Sequence, residues 1–438
     1  MSKNLAIRCA ALTFVADPFL TDPAKSYRYE SDALVVMEHG KITAFGPYEE
    51  LRDQLPPVCP IKWYKDSLLI PGFIDTHIHY PQTQIIGAYG KQLIDWLNNY
   101  TFKAEAQFKD YSYAKKIAEF FIDQTIKAGT TTMMTYCTVH PESVDAFFEV
   151  AQHKKMRAIA GKVLMDRNAP ENLLDKSAKD SYEESKALIK KWHGKDRLLY
   201  AITPRFAPTS STAQLEMTGS LWAEHPGTYL QSHLNENKGE IEWVKELYPD
   251  RKDYLDVYDH YKLLGPKAVY GHAVHMSESD WERMSHTKTS IAHCPTSNEF
   301  LGSGLFDFSA AKKVTRPVRV GLASDIGAGT NLCALVSMNE SYKIAQLQGY
   351  ALSSIHAFYL ATRGAAESLE LEDKIGSIQM GFEADLLILD LKSTDLINFR
   401  MNYAKSIEEI LFILMTLGDD RATRSVYIAG ECAYEREG

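Results

Sequence analysis

Short apolar runs recur through the middle of the chain, separated by longer stretches with helical periodicity. Residues 130–136, 157–165, 198–206, 228–233, 268–272, 289–294 and 318–325 read as strands buried on both faces. An eighth precedes them, where Leu68-Leu69-Ile70 runs into Pro71-Gly72-Phe73-Ile74-Asp75-Thr76-His77-Ile78-His79. Helices fall between most of these. The stretch 114–128 carries Ile117, Phe120 and Phe121 and closes at Gly129. Asp180, with Glu183 three residues on, reads as a capping box for a helix ending at Gly194, and Ser277 with Asp280 opens another. Eight strand-then-helix units predict an α/β fold, a (β/α)8 TIM-like barrel. An open doubly wound sheet is disfavoured. No glycine-rich phosphate loop follows any strand.

The two ends have a different texture. Residues 33–37 and 42–46 flank a turn at Gly40 and read as a hairpin, and 384–390 and 425–434 repeat that style. Strand-rich ends around a different middle predict one small composite β-sandwich built from both termini. Residues 1–68 and 379–438 are its expected halves, with the barrel at 69–378. A chain of 438 residues holds a barrel of ~250 residues and a second, smaller unit.

Composition narrows the function classes. Lys and Arg number 48 against 57 Asp and Glu, a net charge of -9, which argues against nucleic-acid or anionic-membrane partners. The longest late apolar run, 410–417, falls short of the roughly 18 residues a spanning helix needs. Arg8 interrupts the first apolar stretch, so no signal peptide is expected. Six cysteines are scattered without pairing spacings, which fits a reduced, cytoplasmic setting.

The chemistry appears where strands end. On a strand, alternate side chains share a face, so His77 and His79 project together. A lone His-x-His is weak, but His233, His272 and Asp325 fall at the ends of strands 5, 6 and 8, and barrel chemistry gathers at those ends. Taken singly, His233 reads as a loop histidine, His272 as a hydrogen-bonded core residue (with His275 its competitor) and Asp325 as a turn opener. Taken together they point to a divalent metal, because buried imidazoles and carboxylates need partners. Such a site leaves a position for water, whose pKa the metal lowers toward ~7. Asp325 can bind metal and accept a hydrogen bond from that water. Glu236, three residues after His233, can take the water's proton and pass it to a substrate nitrogen. His272 is either a further ligand or a hydrogen-bond partner of the hydroxide. The remaining histidines carry no assigned role: His293 reads as structural and His140 is ambiguous.

These residues, in this order, resemble the amidohydrolase superfamily, and more narrowly its guanine deaminase family. The matching stretches run from Pro71 to Gln82, Trp96 to Phe102, Ile202 to Phe206, Ser232 to Asn237, Cys294 to Asn298 and Asp325 to Gly329. The first marks the superfamily; Gln82, the Trp96 segment and Arg205-Phe206 are narrower. The resemblance implies a hydrolase acting on a cyclic amidine, converting guanine and water to xanthine and ammonia in purine catabolism or salvage. It implies one zinc ion per subunit and a homodimer, although a His-rich site with a carboxylate also suits iron. By the same carry-over, His77, His79, His233 and Asp325 hold the metal, with His272 beside the bound water. Glu236 shuttles the proton, and Gln82, Arg205 and Phe206 hold the purine.

The residue types agree with those implied roles. Arg205 offers fixed donors to the guanine carbonyl, Gln82 offers donor and acceptor to a base edge, and Phe206 offers an aromatic surface. Adenine would set an amine against Arg205, leaving a buried donor unpaired. The alternative is another single-metal amidohydrolase acting on cytosine, an adenosine derivative or a triazine. A two-metal cyclic amidase would place a modified lysine at the end of strand 4, where this chain has Pro204-Arg205-Phe206, and Lys162 in strand 3 reads as structural.

Overall fold

The structure is a computed structural model and describes residues 4–55, 58–90 and 92–437; positions 1–3 and 438, at the outer ends of the expected composite unit, lie outside them. In chain order the strands are β1 (Leu5–Phe14), β2 (Tyr27–Glu38), β3 (Lys41–Pro47), β4 (Ile61–Pro71), β5 (Phe73–His79), β6 (Thr130–Tyr136), β7 (Arg157–Gly161) and β8 (Val163–Leu164). They continue with β9 (Leu198–Pro204), β10 (Tyr229–Leu234), β11 (Ala268–His272), β12 (Ser290–His293), β13 (Val320–Leu322), β14 (Leu386–Asp390), β15 (Thr423–Ile428) and β16 (Glu431–Glu435).

From β5 to β13 the strands are parallel neighbours in sequence order, with the short β8 added against β9. Backbone hydrogen bonds bring the last segment back to the first. The Asp325 amide donates to the His77 carbonyl at 2.9 Å and the His79 amide to that of Ile326 at 2.8 Å. The barrel is nearly closed, as the alternation of strand and helix predicts. Every residue of β5, β6 and β7 is buried, which is why their sequences show no polar alternation. Successive strands each give a residue to one apolar cluster, among them Ile74, Met134, Ile159, Tyr229 and Val269. Each such side chain stabilises the fold by roughly 1.5–3 kcal/mol on burial.

Both termini form the second sheet, ordered β16-β15-β14-β4-β1-β2-β3. Its far edge returns on itself: the Ile42 amide donates to the Phe382 carbonyl at 2.9 Å and the Ala384 amide to that of Gly40 at 2.9 Å. Ile7, Val35, Leu69, Ile388 and Tyr427 lie within its own apolar core. An ionic seam joins the units. Glu383, before β14, accepts from Arg157 of β7 at 2.8 Å and from Arg197, before β9, at 3.0 Å; Arg197 also meets Asp385.

Three local readings are corrected. Leu68-Leu69-Ile70 is not the start of the histidine strand: Leu69, Ile70 and Pro71 pair antiparallel with β14 in the composite sheet. Gly72 then makes the transfer, since a Cβ there would sit 2.2 Å from Thr131 Oγ1. The helix Ala178–Trp192 is capped by Ser177, whose hydroxyl accepts from the Asp180 amide, so Asp180 lies in the first turn. The stretch 425–434 is two strands, turned at Ala429 and Gly430 with φ of 48° and 74°. The late apolar run lies in the helix Ile407–Leu417, and among the described residues no helix is long and apolar enough to cross a membrane.

Candidate active site

β5 ends on His79, and its period of two places His77 Nε2 and His79 Nε2 3.2 Å apart. His233 stands on β10, its Nδ1 2.6 Å from the Arg205 carbonyl, and that contact leaves the other ring nitrogen for the interior. β11 comes close to His77: a Cβ at Gly271 would lie 2.7 Å from the imidazole, so this strand position requires glycine. His272 closes β11 with φ 71°, and Asp325 follows β13 with φ 51°. Both hold left-handed backbone without being glycine, at roughly 1–3 kcal/mol each, which the surrounding barrel imposes. Asp325 Oδ1 lies 3.2 Å from His77 Nε2 and 3.3 Å from His79 Nε2.

A metal ion fits this arrangement. Ligand atoms of His77, His79 and His233 all lie within 4.8 Å of one another, as do those of His77, His272, Cys294 and Asp325. All of these residues are buried, and hydrogen bonds among them cannot satisfy every lone pair: among the described residues His272 Nε2 has no hydrogen-bond partner. A shared cation resolves that shortage. His272 stands to one side, its Nδ1 2.8 Å from Asn298 Oδ1 and its Nε2 3.4 Å from Glu236 and 3.7 Å from Asp325.

The electrostatics separate two carboxylates. Burial alone would raise Asp325, but His77 and His79 hold it well below the usual carboxylate range. Burial, with the charge of Asp325 nearby, pushes Glu236 well above that range. Burial also lowers the imidazole of His79 to about 3, against the pull of Asp325, and neutral imidazole is the form that binds metal. One group stays ionised and the other is poised to carry a proton.

These side chains face a common cavity. Gln82, Arg205, Phe206, His233, Glu236 and His272 line it, Asp325 joins them, and Leu93, Trp96 and Leu97 give it an apolar wall. Every residue singled out in the sequence for metal, catalysis or substrate is therefore drawn to one end of the barrel. His275 instead meets the Ser303 carbonyl at 2.8 Å, and His140 precedes the helix Pro141–His153. His293 packs between Phe306 and Phe308, and Lys162 forms a buried ion pair with Asp175, so both are structural. Sequence reasoning missed Asp75, which accepts from the His77 and Ser324 amides at the seam of the barrel, and the partnership of Asn298 with His272. It also missed Glu105, which accepts from Gln82 at 2.9 Å and from Arg205 at 2.7 Å. Glu105 lies three positions beyond Phe102, one helical step from a segment already marked, and its complete burial is what the letters could not show.

Known proteins share this design. The model of the amidohydrolase family matches residues 68–432. Guanine deaminase of Escherichia coli (strain K12) is 51% identical over 413 residues, 94% of this chain and 93% of that protein. The solved structure of E. coli guanine deaminase superposes with a TM-score of 0.96 at 49% identity, covering 99% of this chain and 100% of its own. The guanine deaminase of C. acetobutylicum, solved with guanine bound in its active site, superposes with a TM-score of 0.86 at 29% identity, covering 98% and 100%. With the metal-ligating cluster at the rim of a parallel barrel and a family match over most of the length, the chain belongs to the amidohydrolase family.

Proposed function

We propose that this chain is a guanine deaminase, converting guanine and water to xanthine and ammonia. One observation supports the substrate most directly: Arg205 and Gln82 converge on the cavity that also holds Glu236 and Asp325. In this reading the Arg205 guanidinium donates to the C6 carbonyl, Gln82 contacts the ring edge, and Phe206 packs against the ring face. The exocyclic amine at C2 then lies toward Glu236.

His77, His79, His233 and Asp325 would hold a divalent metal, zinc by the chemistry of three imidazoles and a carboxylate. When bound, the ion supplies Lewis acidity that makes water nucleophilic near neutral pH. The chain does the rest. Asp325 and His272 orient the water by hydrogen bonds toward C2. Glu236 removes its proton as the C2–O bond forms and the C2=N3 pair shifts onto N3, then delivers it to the amine. The N3 pair restores the double bond as the C2–N bond breaks and ammonia leaves, and the remaining hydroxyl proton moves to N3 to give xanthine. Leu93, Trp96 and Leu97 shield the reacting atoms from bulk water. The same reading takes in a cytoplasmic enzyme of purine catabolism or salvage, a homodimer, and units bounded at 1–68, 69–378 and 379–438.

Incubation with guanine, following xanthine by absorbance and ammonia by a coupled assay, tests the proposal, with adenine and cytosine as controls. Xanthine appearing with equimolar ammonia, in guanine samples alone, supports it. Turnover of another base with guanine inert refutes it.

A further inference from the structure

Glu105 is wholly buried, behind two of the residues that line the cavity, Gln82 and Arg205. Its two carboxylate oxygens accept from Arg205 Nη1 at 2.7 and 3.0 Å, and one also accepts from Gln82 Nε2 at 2.9 Å. The other end of Gln82 is held as well, since the Gly327 amide donates to its Oε1 at 3.1 Å. An amide fixed at both ends cannot turn over, so one N–H and one lone pair of Gln82 stay aimed in a set direction. Arg205, gripped through Nη1, keeps its remaining N–H groups for a ligand carbonyl. Arg205 is only 3% exposed, and a buried guanidinium without a counter-charge would attract anions.

We propose that Glu105 is a positioning residue, which presents Gln82 and Arg205 to a neutral purine ring and, by cancelling the guanidinium charge, keeps anionic ring forms out. The inference rests on the guanine reading for its substrate. It also bears on turnover, because the xanthine product loses a ring proton far more readily than guanine. A pocket with a free cation would hold that product.

Glu105→Gln keeps the shape and one acceptor, removes the charge, and sets an NH2 against two donors. Relative to the parent enzyme, its KM for guanine should rise roughly tenfold or more, with kcat changed less than about threefold. Inhibition by xanthine, measured above its first ring ionisation, should tighten. Glu105→Asp restores the charge and should return xanthine inhibition toward the parent value. A crystal structure of Glu105→Gln should show the Gln82 or Arg205 side chain displaced. Unchanged KM and unchanged xanthine inhibition, or a fall in kcat alone, overturns the proposal. Guanine turnover by the parent enzyme is read in the same assay. If the parent leaves guanine intact, the substrate reading falls by itself, and the side-chain positions in the variant still decide whether Glu105 holds the pair.

Discussion

Glu383→Gln removes a carboxylate that ties the barrel to the composite sheet through two arginines. In the folded chain Glu383 accepts from Arg157 and Arg197, with Lys41 3.9 Å away. Burial would raise its carboxyl, but Arg157 and Arg197 outweigh that and hold it at about 2 against an ordinary 4.5. At ~1.36 kcal/mol per pKa unit, the depression corresponds to about 3 kcal/mol of stability. The side chain is 9% exposed, so solvent screens little of it. Because the folded value is depressed, the contribution is complete above pH 4.5 and is lost as pH falls toward 2. Removing one partner of a buried ionic cluster costs roughly 3–5 kcal/mol, since the guanidinium groups stay behind. Urea unfolding of both proteins over a range of pH measures the difference. The variant should be less stable by about 3 kcal/mol at neutral pH, with the gap falling to about half near pH 3. A gap that is absent, or that stays constant down to pH 3, refutes the assignment of this stability to Glu383.

Three further predictions concern the site. Glu236→Gln should retain its metal by elemental analysis yet lose roughly 10²–10⁴-fold in kcat, the usual worth of a proton carrier; near-normal turnover removes Glu236 from the proton path. Arg205→Ala should raise KM for guanine and erode its preference over adenine by roughly 10-fold or more, and steady-state kinetics on both bases decide it. Dialysis against a chelator should abolish ammonia release and lower the unfolding temperature, since an ion at a thousand times its Kd stabilises the native state by about 4 kcal/mol. Added zinc should restore both, whereas full turnover in protein shown to be metal-free excludes the metal reading.

The barrel was readable because its strands are buried on both faces and separated by amphipathic helices, a pattern that local burial writes into the letters. His77 and His79 were readable because a strand's period of two needs no long-range information. The join at Pro71-Gly72 was misplaced for the opposite reason. Leu68-Leu69-Ile70 looks like any buried strand, and only its pairing with β14, from the far end of the chain, assigns it to the composite sheet. Ser177 was passed over as a cap because Asp180 and Glu183 offer an equally plausible box.

The sequence alone determined which chemical groups this protein owns and on which strand ends they lie, since those depend on neighbours close in the chain. The tertiary structure decided what each group became. Glu105, set against Arg205 across 100 residues, is invisible as a partner until the fold brings them within 2.7 Å. Asp325 and Glu236 are both carboxylates in the letters, yet one is held ionised by two imidazoles and the other is pushed toward its neutral form by burial. Charge state and pairing follow from desolvation and distance, and both exist only once distant segments have closed around the same space.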